Sequence, residues 1–509
     1  MKLNKILFSG IGILTAGVIL CNTFIPSVIE EVHGNNINTT AETYGNYSTP
    51  KYVFLFIGDG MTYPQIQIAS DYLGVKNMEN DIEILEGGEP LSFMNFDVVG
   101  TATTYDSTSF CPDSASTATS ISTGHKTYSG VINMDETLTT CYETIAETLK
   151  KEYGYKIGIV SSVNLNHATP AAFYAHQPKR SNYYEISEEL IASDFEYFAG
   201  GALLAPTGND EDRTNIYELA KNEGYTIATT TEEISKINAN DEKVIITNEE
   251  LDSSYAMPYA IDQEDDDYTL RNHVEKGIEI LDNENGFFMM VEGGKIDWAG
   301  HANDAGTVVL ETLDLSLAVE EAVEFYNEHP TETLIIVTGD HETGGLTIGY
   351  AGTNYDTYLN NLSNQEISYD TFAKEYASKY VTENTSFEEV MIDVENLFGL
   401  KMPLENSYSD DTLVLTDYEI STIKAGFEKT MSGHKSSAAS EEEYVLYGSY
   451  DPLTVAITSV LNNKSGIAFT SFSHTGLPVG VFAQGVGDEL FNGYYDNTDI
   501  YNKLISLFK

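Results

Sequence analysis

Apolar runs recur along this chain, and each ends in a cluster of glycine with an acidic, His or polar residue. Tyr52 to Ile57 (YVFLFI) runs into Gly58-Asp59-Gly60, and Ile157 to Val160 leads into the polar stretch Ser161 to Thr169. Gly286 to Val291 leads into Glu292-Gly293-Gly294, and Leu334 to Thr338 into Gly339-Asp340-His341. A continuous apolar run before glycines predicts a strand buried on both faces, the signature of a central parallel strand. Helical patterns lie between the runs. One covers Thr140 to Tyr153. Another covers Ala305 to Tyr326, with Leu310, Leu313 and Leu317 at core-facing spacing. The alternation predicts an α/β fold of three layers, a mostly parallel central sheet flanked by helices. Ligands of such sheets bind beyond the carboxyl ends of the strands, where these acidic and His residues cluster.

From about Tyr350 to Leu446 the alternation stops. Tyr- and Asn-rich stretches, helical patterns and a loose segment at Ser432 to Ser440 read as a large insertion late in the chain, between two core elements. A lid, a crown and a dimer-interface module all fit this stretch. The core resumes with a helix from Pro452 to Leu461, the run Gly466 to Thr470, Ser473-His474-Thr475-Gly476, a strand from Val479 to Ala483 and a helix from Asp499 to Phe508. At the other end, two lysines precede an apolar stretch from Ile6 to Cys21, which reads as a signal peptide or N-terminal anchor within residues 1–30. Cys21 invites a lipoprotein reading, although Leu20 before it is large where a small residue is expected. Residues 31–50 read as a flexible leader; the length of the rest, 51–509, suits more than one domain, and one domain carrying the 350–446 insertion is equally compatible.

Charge changes the picture. The chain has 26 Lys+Arg against 79 Asp+Glu, so 26 − 79 = −53. That balance argues against nucleic acid and anionic membrane surfaces as partners, and points to a secreted, periplasmic or cell-surface protein. An anionic substrate would be repelled at long range, so an anion site here requires concentrated local positive charge. The acidic runs Glu264–Asp267 and Glu441–Glu443 read as solvated loops, with calcium binding a minor option. Beyond the N-terminal stretch only Cys111 and Cys141 remain, too few to staple a chain of 509 residues; free thiols are favoured over pairing.

Ser114 opens the small-residue run of PDSASTATSISTG, which ends at Gly124. It would lie at a helix N-terminus, where free N–H groups favour an anion. Capping is the ordinary use of such a serine; catalysis requires a base or a metal to help it ionise. Asp297 and His301 are four apart and share a face if helical, an arrangement that suits one zinc. Asp340 and His341 follow a strand directly and suit a second metal. Glu292 is a hard oxygen ligand suited to magnesium. His167 and Thr169, two apart, point the same way if extended. Arg180 can grip two phosphate oxygens at once, with Lys126 and Lys295 as alternative anion contacts. Asp59 and His474 taken singly are a turn residue and an isolated polar residue.

Together these motifs resemble the alkaline phosphatase family. They are IGDGM (57–61), PDSASTATSISTGHKT (112–127), HATPAAFYAH (167–176) with Arg180, VEGGKIDWAGH (291–301), VTGDHETGG (337–345) and SHTG (473–476). The resemblance implies hydrolysis of phosphate monoesters through a phosphoserine at Ser114. It implies two Zn(2+), one held by Asp297, His301 and His474 and the other by Asp59, Asp340 and His341. It implies one Mg(2+) held by Glu292, Thr169 and Asp59, a phosphate grip at Arg180, and Asp113 orienting that grip. His167 stands where some members have Asp beside the magnesium, and Trp298 where others have Lys or His. This His/Trp pair is similar to the cold-adapted marine bacterial branch and leaves the third metal open. The family often forms dimers, which makes a homodimer the assembly expected by analogy. Two rivals remain: a phosphodiesterase or sulfatase with the same paired-metal core, and a non-catalytic surface protein that binds metal or phosphate.

Overall fold

The register of three parallel strands organises the molecule. Gly58, Gly293 and Gly339 stand side by side at one edge of the central sheet, so the residues just beyond them emerge together. The computed structural model describes residues 48–76, 85, 87–264, 267–404, 411–433 and 440–509. The signal or anchor at 1–30, Cys21, most of the leader, and parts of the 264–267 and 432–440 stretches lie outside the described residues. In chain order the strands are β1 (Tyr52–Gly58), β2 (Val98–Thr103), β3 (Lys156–Asn164), β4 (Tyr197–Gly201), β5 (Thr226–Ala228), β6 (Val244–Thr247), β7 (Phe287–Gly293) and β8 (Thr333–Gly339). The short β9 (Glu342–Thr343), β10 (Thr347–Ile348), β11 (Ile467–Ala468) and β12 (His474–Thr475) follow, then β13 (Val479–Gly485) and β14 (Gly493–Asp496). Among the described residues ten of these form one sheet, in the order β14-β2-β13-β8-β1-β7-β3-β4-β6-β5. Only β13 runs antiparallel to its neighbours, so the sheet is mostly parallel, with helices covering it.

Strand β1 is buried along its whole length, which explains its unbroken apolar run. Phe54 and Phe56, with Phe287, Met289, Val291, Ile335 and Val337, pack toward the Tyr63–Lys76, Leu270–Leu281 and Ala305–Glu328 helices in one core. Each such fully buried side chain contributes about 1.5–3 kcal/mol of transfer free energy. Gly339 is required by close approach: a Cβ there would lie 1.9 Å from the Met61 carbonyl oxygen. That tight corner packs the turn after β1 onto the end of β8.

Several local expectations are corrected. The long helix covers Ala305–Glu328, but Val308, Leu315, Val319 and Ala322 face the core, while Leu317 is 43% exposed and Leu310 and Leu313 are half-buried. The three leucines mark the flank of that helix, because Val308, Leu315, Val319, Ala322 and Phe325 take its buried face. The segment from Thr140 turns helical only at Ile145. Thr144 Oγ1 accepts from Glu147 N and the Glu147 carboxylate accepts from Thr144 N, a reciprocal cap that fixes the start. The run at 466–470 gives only β11, which pairs with β10 and not with the central sheet. The Glu441–Glu443 run is the first turn of the Glu441–Tyr447 helix, where acidic residues suit the helix dipole, and not a loop.

The stretch that follows β10 ends at β11, and these two strands are paired, Thr347 opposite Ala468. Between them lie helices and turns, with an isolated bridge between Lys401 and Val414. Leu359, Phe372, Val394, Phe398 and Ile423 from this stretch join the same core as Phe54 and the Pro452–Ser465 helix. Among the described residues no helix is long and apolar enough to cross a membrane.

Candidate metal centre and nucleophile

Ser114 is the first residue of the Ser114–Thr123 helix, capped by Asp113 and ended by Gly124 in the left-handed conformation. The helix is buried throughout, which its Ala, Ser and Thr composition permits against the sheet. Ser114 Oγ lies 3.2 Å from His341 Nε2 and 3.4 Å from Asp59 Oδ1. Asp59 follows β1 and Asp340 follows β8, so the in-register strand ends bring both carboxylates to the serine. His341 Nε2 is 3.3 Å from Asp59 and 3.4 Å from Asp340. Asp59, Asp340 and His341 form one cluster of ligand atoms within 4.8 Å of one another.

Asp297, His301 and His474 form a second cluster. Asp297 and His301 sit one turn apart on the Lys295–His301 helix, and His474 arrives from β12. Both imidazole Nε2 atoms lie 3.4 Å from Asp297 Oδ1. Their Nδ1 atoms face the carbonyls of Phe472, at 2.7 Å, and Pro112, at 2.5 Å. Carbonyls on the outer nitrogens fix the tautomer and leave Nε2 free for a metal. The two clusters share a wall, since the His341 and His474 rings stack with centroids 3.7 Å apart.

Asp59, His167 and Glu292 form a third cluster. Thr169 Oγ1 donates to Asp59 Oδ2 at 3.2 Å, so this threonine also reaches it. His167 and Thr169 do not share an extended strand: His167 is the residue before the Ala168–Ala171 helix and Thr169 lies inside it. Buried His167 Nδ1 and Glu292 Oε1 have no hydrogen-bond partner. Trp298 belongs to no cluster; its ring meets His167 edge-on, centroids 6.0 Å apart.

The electrostatics ask for cations. Burial, then the Asp340, Asp297 and Glu292 charges, push Asp59 well above the usual carboxylate range. Burial likewise lifts Glu292 to about 7 and Asp340 to about 6. Asp297 is the exception: burial would raise it, but His301, His474 and His341 hold it well below. Burial drives His167 down to about 3, with Arg180 beside it, which leaves a neutral imidazole. Burial also holds His341 low, while at His474 burial is outweighed by the Asp297 carboxylate, which lifts it to about 9. Buried carboxylates crowded against imidazoles, with two atoms that lack a hydrogen-bond partner among the described residues, fit divalent metals.

Arg180 reaches the same pocket. Its Nη1 donates to Asp113 Oδ2 at 3.0 Å and its Nη2 lies 3.1 Å from His167 Nε2. The alternative anion contacts are engaged elsewhere. Lys126 binds Asn497 and the Tyr105 carbonyl, and pairs with Asp496. Lys295 is fully buried against Asp252, the Met257 carbonyl and the Tyr259 ring. Cys111 and Cys141 are exposed free thiols.

Sequence reasoning missed the residues that hold the ligands. Thr117 Oγ1 donates to Asp340 Oδ2 at 2.9 Å, Thr343 Oγ1 to Asp297 Oδ1 at 2.5 Å, and Ser161 Oγ to Glu292. Their signal was present: Thr117 is one turn past Ser114, Thr343 is two past His341, and Ser161 pairs with Glu292 across β3 and β7.

A mostly parallel α/β sheet with three candidate metal-ligand clusters around a serine in the first turn of a helix defines a metal-dependent enzyme class. A family model of alkaline phosphatases matches residues 50–509, and the chain belongs to the alkaline phosphatase family. It is therefore an enzyme, and the family's reaction is phosphomonoester hydrolysis. Alkaline phosphatase 4 of Bacillus subtilis (strain 168) is 29% identical over 463 residues, 90% of this chain and 88% of the relative. Among solved structures, a cold-active alkaline phosphatase from the psychrophile Shewanella sp. is 27% identical with a TM-score of 0.71, over 90% of this chain and all 100% of that one. The alkaline phosphatase of the Antarctic bacterium TAB5 is 26% identical with a TM-score of 0.59, over 90% and 98% of the two chains. A His-to-Glu variant of the TAB5 enzyme carries Mg in its M3 site.

Proposed function

We propose that this chain hydrolyses phosphate monoesters by transient phosphorylation of Ser114. The observation that carries the reading is Ser114 Oγ within 3.4 Å of both Asp59 and His341, in the wall of two adjoining ligand clusters. Asp59, Asp340 and His341 would hold one zinc, Asp297, His301 and His474 the other, and Asp59, Glu292 and Thr169, with His167, the third metal, magnesium. When bound, such ions lower the pKa of coordinated hydroxyls and water and offset the charge of phosphoryl and leaving-group oxygens.

The chain's own groups do the rest. The free N–H groups of the Ser114–Thr123 helix face the incoming phosphoryl oxygens. Arg180, fixed by Asp113, grips the remaining oxygens, which favours a monoester dianion over a diester. Thr117 and Thr343 hold Asp340 and Asp297 in place. Trp298 adds no cation, so the phosphate leaves against less positive charge. A signal or anchor in residues 1–30 and action at the cell surface, in the periplasm or outside the cell accord with the acidic surface. The test is release of phosphate from p-nitrophenyl phosphate, stopped by EDTA and restored by zinc, with the bis-ester turned over far more slowly. Equal rates on both esters would favour a diesterase, and no turnover by metal-replete protein a binding protein.

A further inference from the structure

The segment that delivers Arg180 is anchored four residues earlier by an imidazole wedged between two carboxylates. His176 Nδ1 faces Glu189 Oε2 at 3.3 Å, while its Nε2 faces the Tyr142 carbonyl at 3.0 Å and Glu147 Oε2 at 3.5 Å. Every partner of the ring is an acceptor, and an imidazole surrounded only by acceptors is complete when both nitrogens carry protons. The charged groups facing the ring are Glu147, from the Ile145–Thr148 helix, and Glu189, from the Tyr183–Ala192 helix; Tyr142 offers its main chain. The ring side chain is 16% exposed.

This cluster connects to the phosphate grip through a short path. Glu189 also takes the His176 N–H at 2.7 Å and the Gln177 side-chain amide. Gln177 exchanges main-chain bonds with Ile132, and Arg180 N donates to the Gly130 carbonyl at 2.8 Å. Gly130 N in turn donates to Asp113 Oδ1 at 2.9 Å, and Asp113 Oδ2 receives Arg180 Nη1. Two rungs, 177 to 132 and 180 to 130, therefore set where the guanidinium stands. The Glu147–His176–Glu189 wedge holds the base of that ladder.

We infer that His176 is a positioning residue: as an imidazolium clamped by Glu147 and Glu189 it fixes the Arg180 segment, and loss of its proton slackens the phosphate grip. Without the proton, two partly buried carboxylates face each other across a neutral ring, and their repulsion opens the base of the ladder. The two carboxylates, through hydrogen bonds and charge, outweigh burial and hold the ring's pKa up at about 10. The clamp is therefore intact at neutral pH and fails in the alkaline range. The inference rests on the reading of Arg180 as the phosphate-gripping group.

Competitive inhibition by inorganic phosphate, measured from pH 7.5 to 10.5 on metal-replete enzyme, tests it. His176→Gln is expected to weaken phosphate binding about tenfold at pH 8 and to raise KM in parallel, with kcat changed less than about twofold. The gap to wild type should close as the pH passes about 10. In an Arg180→Ala background the same substitution should do nothing further. A phosphate affinity unchanged by His176→Gln, or an equal loss with Arg180 absent, would overturn the inference. If Arg180→Ala itself leaves phosphate affinity intact, the assignment of Arg180 fails instead. Nitrogen NMR of the wild-type ring at pH 8 supplies a check that needs no variant: two protonated nitrogens support the clamp, and a neutral ring refutes it.

Discussion

Ser114 Oγ stands 3.2 Å from His341 Nε2, although 227 residues separate them in the chain. One comes from the first turn of a buried helix and the other from just beyond β8. Their meeting is the strongest argument for the serine as nucleophile. Ser114→Ala is expected to lower kcat on the order of 10⁴-fold while zinc content, read by elemental analysis, is kept. Near-wild-type turnover in that variant would remove the serine from the reaction.

Arg180 and Asp113 act as a unit, because one guanidinium edge is committed to Asp113 and the other points at His167. Burial would raise Asp113, but Arg180 and the Gly130 and Ser116 donors hold it below the usual carboxylate range. Arg180→Lys keeps the charge and loses the fork. It should raise KM and weaken phosphate inhibition by about 10- to 100-fold, the loss of a charged hydrogen-bond pair at 1.5–3 kcal/mol. Asp113→Asn should give a smaller loss of the same kind, seen as KM rising more than kcat falls.

Without bound metals, burial, and after it the neighbouring carboxylates, disfavour the charged forms of Asp340 and Glu292. Asp340 and Glu292 have folded-state values of about 6 and about 7, above those of the unfolded chain. In the chelated protein both are protonated at low pH, and the stability this lends is lost as pH rises through those values. The metal-loaded protein carries no such penalty, since its cations take the place of the protons. The difference in Tm between loaded and EDTA-treated protein should therefore widen from pH 5 to pH 8. A constant difference across that range would argue against cations at these carboxylates.

The fold was legible in the apolar runs, and the candidate ligands in those runs together with the family resemblance, which alone singled out Asp59 and His474. Strands buried on both faces leave unbroken apolar runs, and candidate ligands sit at the first positions after them, as with Asp59 after β1 and Asp340-His341 after β8. Helical spacing exposed the Asp297–His301 pair equally plainly. What stayed hidden depends on packing direction. Leu310, Leu313 and Leu317 have the right spacing on the wrong flank, because Val308, Leu315 and Val319 claim the sheet. The Thr117, Thr343 and Ser161 hydroxyls carry no pattern of their own; only the fold aims them at carboxylates. His176 ends the run HATPAAFYAH, but its two carboxylate partners lie 29 residues before and 13 residues after it in the chain and share no pattern with it.

The third cluster has a nitrogen donor where a hard ion prefers oxygen. His167→Asp should raise the affinity for magnesium and make activity more magnesium-dependent, because carboxylate oxygen suits that ion better than imidazole. It also removes the neutral ring against Arg180 and Trp298, so KM is expected to move as well. Magnesium titration of metal-stripped protein, read by activity and by Tm, gives the result; identical magnesium dependence in both forms would exclude His167 from the site.

Asp304 ties the 350–446 stretch to the metal-bearing part of the fold. It is buried, and it caps the Ala305–Glu328 helix by accepting from Thr307 N at 3.2 Å and Thr307 Oγ1 at 2.7 Å. From the later stretch it accepts Gln365 Nε2 at 2.9 Å and Tyr369 N at 3.0 Å. Burial raises its pKa despite these donors, and among the described residues hydrogen bonds hold the carboxyl. Asp304→Ala strands four buried donors at once and should cost about 3–5 kcal/mol. Asp304→Asn keeps the shape and part of the bonding, so its loss should be about half as large. Proteolysis distinguishes the modes of failure: early cuts within 350–446 at unchanged zinc content mean the stretch is held to the core through this residue. Cuts spread evenly along the chain would mean the whole fold had weakened together, and the tie through Asp304 would not be what holds this stretch.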